Sequence, residues 1–167
     1  MDIIKMKENH KVLTEYKYEL GEIDKGYTNR TLYVNISDNT ITSKPITEMM
    51  KEKFVGGRGF GLWYLWNATS PETKWDDPEN EIIIAGGPAC GITQYAGTGK
   101  SLVCSISPLT DIPIDSNVGG FFGPLLKFSG WDALEIQGKS DKDIIVYIDG
   151  NNGLVTIEEA PLEAVDA

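Results

Sequence analysis

Alternating polar and apolar residues mark the first ordered element that the sequence predicts. In Arg30–Ile36 the apolar side chains recur at every second position, which is the period of a half-buried strand. Ser37–Asn39 supplies turn residues before a second short run, Thr40–Thr42, so the pattern predicts a β-hairpin. We expect a globular domain over residues 30–167. Residues 1–29 show only weak periodicity and are interpreted as an N-terminal extension, to which we assign no function.

Two short helices are predicted after the hairpin. Thr47 is a suitable N-cap for a helix over residues 48–54. This helix is expected to end at Gly56-Gly57, because glycine accepts the left-handed conformation past a helix end. A second helical stretch over residues 62–67 begins just after these glycines.

The rest of the chain predicts short strands and little helix. Residues 108–118 contain two prolines and no periodicity, so they are expected to be irregular, and a short helix is expected over residues 119–128. The predicted strands cover residues 82–85, which read as fully buried, and residues 101–107, 133–137, 143–148 and 154–157. We therefore predict an α+β fold in which most strands are antiparallel.

The end of the sequence carries a further helix prediction. Pro161 occupies a typical first helical position, and good helix formers follow it up to residue 167. On this pattern we expect a helix that is cut off as it starts. This suggests either an artificial boundary or a split subunit whose continuation lies on another chain.

Composition and charge narrow the functional classes. The chain has 167 residues, of which 41% are hydrophobic, and this suits one domain of ordinary size. With 15 basic against 25 acidic residues its net charge is −10, so the basic footprint of a nucleic-acid-binding surface is missing. The sequence contains no long apolar run and no secretory signal at residues 1–5, so we expect a cytoplasmic location without membrane contact.

The residue types that most often perform chemistry form no convincing constellation. Cys90 and Cys104 do not form a CxxC pair and are interpreted as buried, small apolar residues. His10 is the only histidine and lies in the polar extension, so it supports no nucleophile system. Asp111 and Asp115 are interpreted as solvated or turn-forming acids rather than as a general acid–base pair.

Glycine clustering is the main pattern that points to a function. Fourteen of the 18 glycines fall between Gly56 and Gly138, and such turns either let the main chain approach a ligand closely or simply pack against one another. Gly99-Lys100-Ser101 resembles the end of a phosphate-binding loop, but the motif requires glycine where Gln94 stands and a helix where a strand is predicted. The glycines at 57–61 also miss the dinucleotide-binding fingerprint.

Six segments, several of them rich in glycine, follow one another along the chain: Leu32–Ile36, Gly56–Gly61, Asn80–Pro88, Ser107–Thr110, Asn117–Gly123 and Leu126–Asp132. Their order resembles the N-terminal domain of aldehyde ferredoxin oxidoreductases. The resemblance implies a sheet-rich, saddle-like domain of two related halves. On this saddle rests a bis-pterin cofactor that carries tungsten, or sometimes molybdenum.

The resemblance also implies which residues contact the cofactor. The family commonly has an arginine that contacts the pterin phosphate where this chain has Lys100, which keeps the charge but loses the bidentate fork. Asn117 matches an asparagine that helps to hold a magnesium ion bridging the phosphates, although it also suits a turn before a helix. Gly119 and Gly120 follow as backbone donors. Arg58, beside Gly59, either faces the cofactor or forms a surface ion pair.

What the sequence lacks limits the function that the resemblance implies. The family's four cysteines for a [4Fe–4S] cluster, its Asp-x-x-Gly-Leu pterin motifs and its acid–base residues belong to later domains and are absent here. The chain is therefore expected to be one side of the cofactor pocket of an oxidoreductase that oxidises aldehydes or related substrates with ferredoxin as electron acceptor. It would not be catalytic alone. Its partners would be C-terminal domains or a second subunit, within a homo- or hetero-oligomer. The alternative is a cofactor-free scaffold derived from that domain.

Overall fold

The computed structural model describes residue 4 and residues 10–161, and strands dominate it. The strands are β1 (Lys11–Lys17), β2 (Arg30–Asn35), β3 (Thr40–Pro45), β4 (Glu81–Ala85), β5 (Ser101–Ile106), β6 (Pro113–Val118), β7 (Ala133–Gln137), β8 (Ile144–Asp149) and β9 (Leu154–Glu159). The helices are α1 (Glu48–Phe54), α2 (Arg58–Ala68) and α3 (Phe122–Phe128). The predicted sheet-rich α+β class is confirmed. None of the helices in the described residues is long and apolar enough to cross a bilayer.

The larger sheet has six strands in the order β3-β2-β7-β4-β5-β6. Its strands are antiparallel neighbours except for β2 and β7, which run parallel. The predicted hairpin is present, with Asn35 opposite Thr40 and Val34 opposite Ile41. The smaller sheet has three antiparallel strands in the order β1-β9-β8. The prediction of mostly antiparallel strands is therefore correct.

Helix α2 is longer than its sequence pattern indicates. It begins at Arg58, four residues before the predicted start at Leu62, so Gly59 and Gly61 lie inside the helix, where glycine costs about 1 kcal/mol relative to alanine. Close packing explains both glycines. A Cβ atom at position 59 would lie 2.5 Å from the carbonyl oxygen of Phe54, and one at position 61 would overlap the Cys104 sulfur on β5.

The predicted cap of α1 is correct, whereas the predicted start of α3 is not. Thr47 caps α1 as expected, since its hydroxyl accepts a hydrogen bond from the Met50 N–H at 3.3 Å. Helix α3 begins at Phe122 rather than at Gly119. Gly120 has a φ of +100°, which is outside the helical region and accounts for the later start.

Two strand predictions need correction. Residues 108–118 were expected to be irregular, but Pro113–Val118 forms β6 at the edge of the larger sheet. Proline is tolerated as the first residue of an edge strand, and none of the β6 side chains is buried, so the strand has no apolar period. Strand β4 is not fully buried as expected, because Ile82 is 48% exposed whereas Ile83 is completely buried.

Two further predictions concern the N-terminal extension and the end of the chain. Residues 1–29 were interpreted as an extension, and within them Lys11–Lys17 forms β1, which pairs with β9. The sequence did not reveal this strand because none of its side chains is buried. The helix predicted from Pro161 onward falls on residues 162–167, which lie outside the described residues.

Apolar side chains cover both faces of the larger sheet. One cluster joins α1 and α2 to the sheet and centres on Phe60, Leu65 and Ile83. The other fills the space between the two sheets around Trp131, which is completely buried. At its border the ammonium group of Lys127 forms a buried ion pair with Asp132. The larger sheet is therefore the middle layer, and α2 is held close to β5.

The close packing of α2 on β5 leaves no room for a side chain at Gly61. Gly61→Ala should lower the free energy of unfolding by about 2 kcal/mol, because overpacking a tight contact outweighs the gain in helix propensity. Adding Cys104→Ala should recover part of the loss, since it removes the sulfur that the new methyl group would meet. Chemical denaturation measures both effects.

Gly87→Ala is the matched control for this substitution. An added Cβ atom at position 87 would meet nothing within 4 Å, so its effect on stability should be small. An equal loss of stability for Gly61→Ala and Gly87→Ala would contradict the packing account.

Candidate functional site

The glycine-rich segments meet at one end of the larger sheet. Strand β4 ends at Ala85 and leads into Gly86-Gly87, while β5 begins at Ser101, directly opposite Val118 at the end of β6. Helix α2 begins at Arg58 on the same side, since an added Cβ atom at Gly57 would lie 3.3 Å from the Leu102 side chain. Four separate segments thus converge, and we call this region the glycine-rich edge.

Two of its glycine pairs are in direct backbone contact. The Gly57 N–H donates a hydrogen bond to the Gly86 carbonyl at 2.8 Å. A Cβ atom at Gly56 would lie 2.8 Å from both the Gly86 oxygen and the Gly87 Cα atom, a separation that real Cβ atoms do not adopt. Only glycine at position 56 allows this approach. The contact fixes the start of α2 over the end of β4.

Lys100, Asn117 and Gly119 lie together at this edge. Asn117 is opposite Leu102 on the neighbouring strand, and a Cβ atom at Gly119 would lie 3.1 Å from the Lys100 ammonium nitrogen. Both side chains are exposed. Neither takes part in a hydrogen bond or ion pair with any described residue, so a cation and an amide are available to a ligand.

Arg58 forms a surface ion pair, which is one of the two roles that the sequence analysis allowed for it. Its guanidinium donates to a carboxylate oxygen of Asp115 at 2.9 Å, and the Arg58 side chain is 60% exposed. Asp115 and Asn117 are two positions apart on β6, so their side chains share one face of the sheet. The pair therefore borders the Lys100–Asn117 group, although its charges largely neutralise each other.

The remaining predicted glycines have different surroundings. Gly59 packs against Phe54 of α1, so helix packing accounts for it. Gly120 has a φ of +100° and open space where a side chain would be. The Gly120 carbonyl lies 3.1 Å from the position a Cβ atom at Gly99 would take. Lys100, Asn117, Gly119 and Gly120 thus lie in one region, whereas Gly59 contacts the neighbouring helix.

The start of α2 adds a favourable field for an anion. Its N-cap is Gly57, which supplies no side-chain hydrogen bond to the first turn. The first N–H groups of a helix carry a partial positive charge and have no partners within the helix. With the Lys100 ammonium group nearby, this edge is suited to a phosphate group, even though the chain as a whole carries a charge of −10.

Several alternative chemistries find no geometric support at this edge. Strand β5, rather than a helix, follows Lys100, which confirms that the phosphate-loop motif is not formed. Asp115 is engaged by Arg58, and Asp111 pairs with Lys74 at 3.0 Å. The two acids therefore belong to separate surface ion pairs.

Sequence reasoning missed two features that the structure brings together. Asp115 was considered only as an acid near a proline, and nothing in the local sequence indicated that it would meet Arg58 from 57 residues away. Glu81 and Glu135 are both buried on the α2 side of the larger sheet. The only indication was their position within apolar strand sequences, where a charged side chain is unusual.

The fold and this edge define a class of protein. It is a sheet-rich α+β domain with a glycine-lined edge. This edge presents the Lys100 ammonium group, the Asn117 amide and the N-terminus of α2. Residues 31–165 match the family model for the N-terminal domain of aldehyde ferredoxin oxidoreductase. The chain belongs to the aldehyde ferredoxin oxidoreductase family and represents its N-terminal domain.

Individual relatives agree with this assignment. The tungsten-containing aldehyde ferredoxin oxidoreductase of Pyrococcus horikoshii is 40% identical over 127 residues, which are 76% of this chain and 21% of the relative. The WOR-like subunit of an aliphatic sulfonate oxidoreductase from Pyrococcus furiosus is 31% identical over 80% of this chain and 21% of the relative. This chain therefore spans about a fifth of the length of the curated relatives that it matches.

A solved structure shows the same fold. The active-site complex BamBC of benzoyl coenzyme A reductase, in complex with 1,5-dienoyl-CoA, matches with a TM-score of 0.76 and 32% sequence identity. The match covers 81% of this chain and 20% of the other. This chain and the benzoyl coenzyme A reductase complex therefore share one architecture over most of the described residues.

The two cysteines should be unreactive in the folded protein. Both are free and buried, and burial raises the pKa of Cys90 and raises that of Cys104 to about 11, so their thiols stay protonated at neutral pH. A thiol reagent at pH 7 should label neither residue until denaturant is added. Labelling of the native protein at the rate of a free cysteine would contradict their role as packing residues.

Proposed function

We propose that this chain forms one side of the pocket for a tungsten or molybdenum bis-pterin cofactor in a cytoplasmic oxidoreductase. The observation that carries the proposal is the unpaired Lys100 ammonium group beside Gly119, at an edge that also presents the uncapped start of α2. An exposed cation without an acidic partner, at the same edge as a helix N-terminus that has no side-chain cap, suits the phosphates of a pterin.

Each residue of the edge has a part in holding the cofactor. Lys100 would hold a pterin phosphate as a point charge, less tightly than an arginine fork would. Asn117 would offer its side-chain oxygen to a magnesium ion that accompanies the phosphates. Gly119 and Gly120 allow the main chain to approach the ligand. Arg58 contributes less, because Asp115 already neutralises it.

The chemistry belongs to the cofactor and to the rest of the enzyme. The bound metal centre supplies two-electron oxidation of an aldehyde or a related oxo substrate. The residues of this chain bind and orient the cofactor and are not catalytic alone. We propose that the remaining four fifths of the enzyme carry the [4Fe–4S] cluster, the other pterin contacts and the route to ferredoxin.

The apolar surface around α3 supports the need for a partner. Phe121, Phe122, Leu125 and Phe128 are between 44% and 83% exposed. Two of them, Phe122 and Leu125, line an apolar groove of about 570 Å³ between the two sheets. Contiguous exposed apolar surface of this kind marks an interaction site. We propose that C-terminal domains or a second subunit cover it. A cofactor-free scaffold would need the same cover, so this surface does not discriminate between the two functions.

Reversing the charge at Lys100 tests cofactor binding. Lys100→Glu should lower the pterin content of the natively assembled enzyme by roughly tenfold or more, because it removes a charge-assisted contact and repels the phosphate. Lys100→Arg should retain or increase the content. Oxidation of the released pterin to its fluorescent derivative measures the content per protein.

Lys139→Glu is the matched control, since it makes the same charge change at an exposed lysine of the β7–β8 connection. Asn117→Ala should lower the pterin content less than Lys100→Glu does. If Lys100→Glu and Lys139→Glu retain equal pterin in folded enzyme, the scaffold function replaces the cofactor function.

The α3 surface should mediate association. The native protein should sediment as a complex with itself or with a partner chain, and Phe121→Asp together with Leu125→Asp should weaken that complex at least tenfold without unfolding the domain. Analytical ultracentrifugation combined with circular dichroism measures both properties. A monodisperse monomer at high concentration would exclude this role for the surface.

A further inference from the structure

A second polar pocket lies at the opposite end of β4 from the glycine-rich edge. It encloses about 350 Å³ between the larger sheet and α2. Its polar lining includes Tyr33, Lys44, Glu81, Glu135 and Gln137. No step of the proposed cofactor binding uses this pocket.

Two carboxyl groups in this pocket are almost completely buried. Glu81 is 2% exposed and Glu135 is 1% exposed. They lie diagonally on adjacent strands, since Glu81 is opposite Gln137 and Glu135 is opposite Ile83, and long side chains in diagonal positions on one face of a sheet are within reach of each other. Both acids therefore point into one small volume.

One oxygen of each carboxyl group has no partner. Lys44 donates to one oxygen of Glu135 at 2.7 Å, but the other Glu135 oxygen and one Glu81 oxygen are buried without a hydrogen bond within the described residues. A buried acceptor without a partner costs free energy, and an ionised one costs more. Desolvation and the charge of Glu135 accordingly raise the pKa of Glu81 to about 8.

The neighbouring polar groups are already engaged. The Tyr33 hydroxyl donates to the side-chain oxygen of Gln137 at 2.5 Å. The hydroxyls of Tyr64 and Thr31 bond each other at 2.6 Å. Lys44 is held 3.8 Å above the Tyr33 ring while it binds Glu135. Within the described residues none of these groups donates to the two buried oxygens, so the pocket offers both oxygens to a ligand.

We propose that this pocket binds one monovalent metal cation, such as potassium, through the free oxygens of Glu81 and Glu135. When both carboxyl groups are ionised, they and the Lys44 ammonium group carry a net charge of −1, which a single positive charge neutralises. At neutral pH the raised pKa leaves Glu81 largely protonated, so the cation binds in exchange for that proton. Within the described residues no third acid, histidine or cysteine completes a group suited to a divalent or transition metal. Carboxylate and water oxygens are ligands for a hard cation. This site is independent of the pterin pocket.

Thermal unfolding of the native protein with its natural partners tests this site. At pH 9, where Glu81 is ionised, potassium chloride should raise the unfolding temperature by a few degrees relative to choline chloride at equal ionic strength, and the rise should saturate with concentration. Choline carries the same charge but is too large to sit between the two carboxylates. Glu81→Gln should abolish the difference between the two salts.

Glu79→Gln is the matched control, because it removes the same charge from an exposed residue two positions away, and it should keep the potassium effect. If Glu81→Gln fails to accumulate, Glu135→Gln provides the same comparison. Equal unfolding temperatures in potassium and choline chloride would overturn the proposal. So would a potassium effect that persists in Glu81→Gln, or stabilisation by magnesium chloride but not by potassium chloride.

Discussion

The contact between Gly56-Gly57 and Gly86-Gly87 is the constraint on which the candidate site depends. The Gly57 N–H bonds the Gly86 carbonyl, and Gly56 lies against Gly86 and Gly87 at a separation that excludes a Cβ atom. This backbone contact sets the start of α2 over the ends of the central strands. Any side chain at position 56 would push the helix N-terminus away from Gly86 and Gly87 at the end of β4. These glycines therefore matter because they lack a Cβ atom at a close backbone contact, as well as because they are flexible.

The charge arrangement follows from that geometry. The acids that might have paired with Lys100 are elsewhere: Asp115 holds Arg58, and Asp111 holds Lys74. The Lys100 ammonium group, which has no acidic partner within the described residues, is thus free for the anionic ligand that we propose. The domain supplies this edge and an uncovered apolar surface around α3. Both features suit a domain that spans about a fifth of its relatives' length.

The sequence predicted the parts of the fold in which apolar side chains recur at regular spacing or side chains bond locally. The β2–β3 hairpin and the Thr47 cap were predictable, because their side chains alternate or bond locally. Strands β1 and β6 were not, because neither buries a side chain and so neither leaves an apolar pattern. The early start of α2 was hidden by Gly59 and Gly61, which oppose helix formation locally and are explained only by packing.

The same distinction applies to the candidate site: some of its features were predictable from the sequence and others were not. The order of the glycine-rich segments was enough to indicate the family and to single out Lys100 and Asn117. Contacts between residues distant in sequence were not predictable. Examples are the Arg58–Asp115 pair and the two carboxyl groups of Glu81 and Glu135 that share one pocket. Such contacts depend on strand order and register, which local sequence does not encode.

The central claim is that this chain helps to hold a metal–pterin cofactor. Elemental analysis for tungsten, molybdenum and iron, on protein purified without oxygen from its native host, tests it most directly when every co-purifying chain is identified by mass. The account predicts tungsten or molybdenum together with iron, in an assembly that includes the cysteine-bearing region that we propose. A native protein that is complete, purifies alone and contains none of these metals would contradict it.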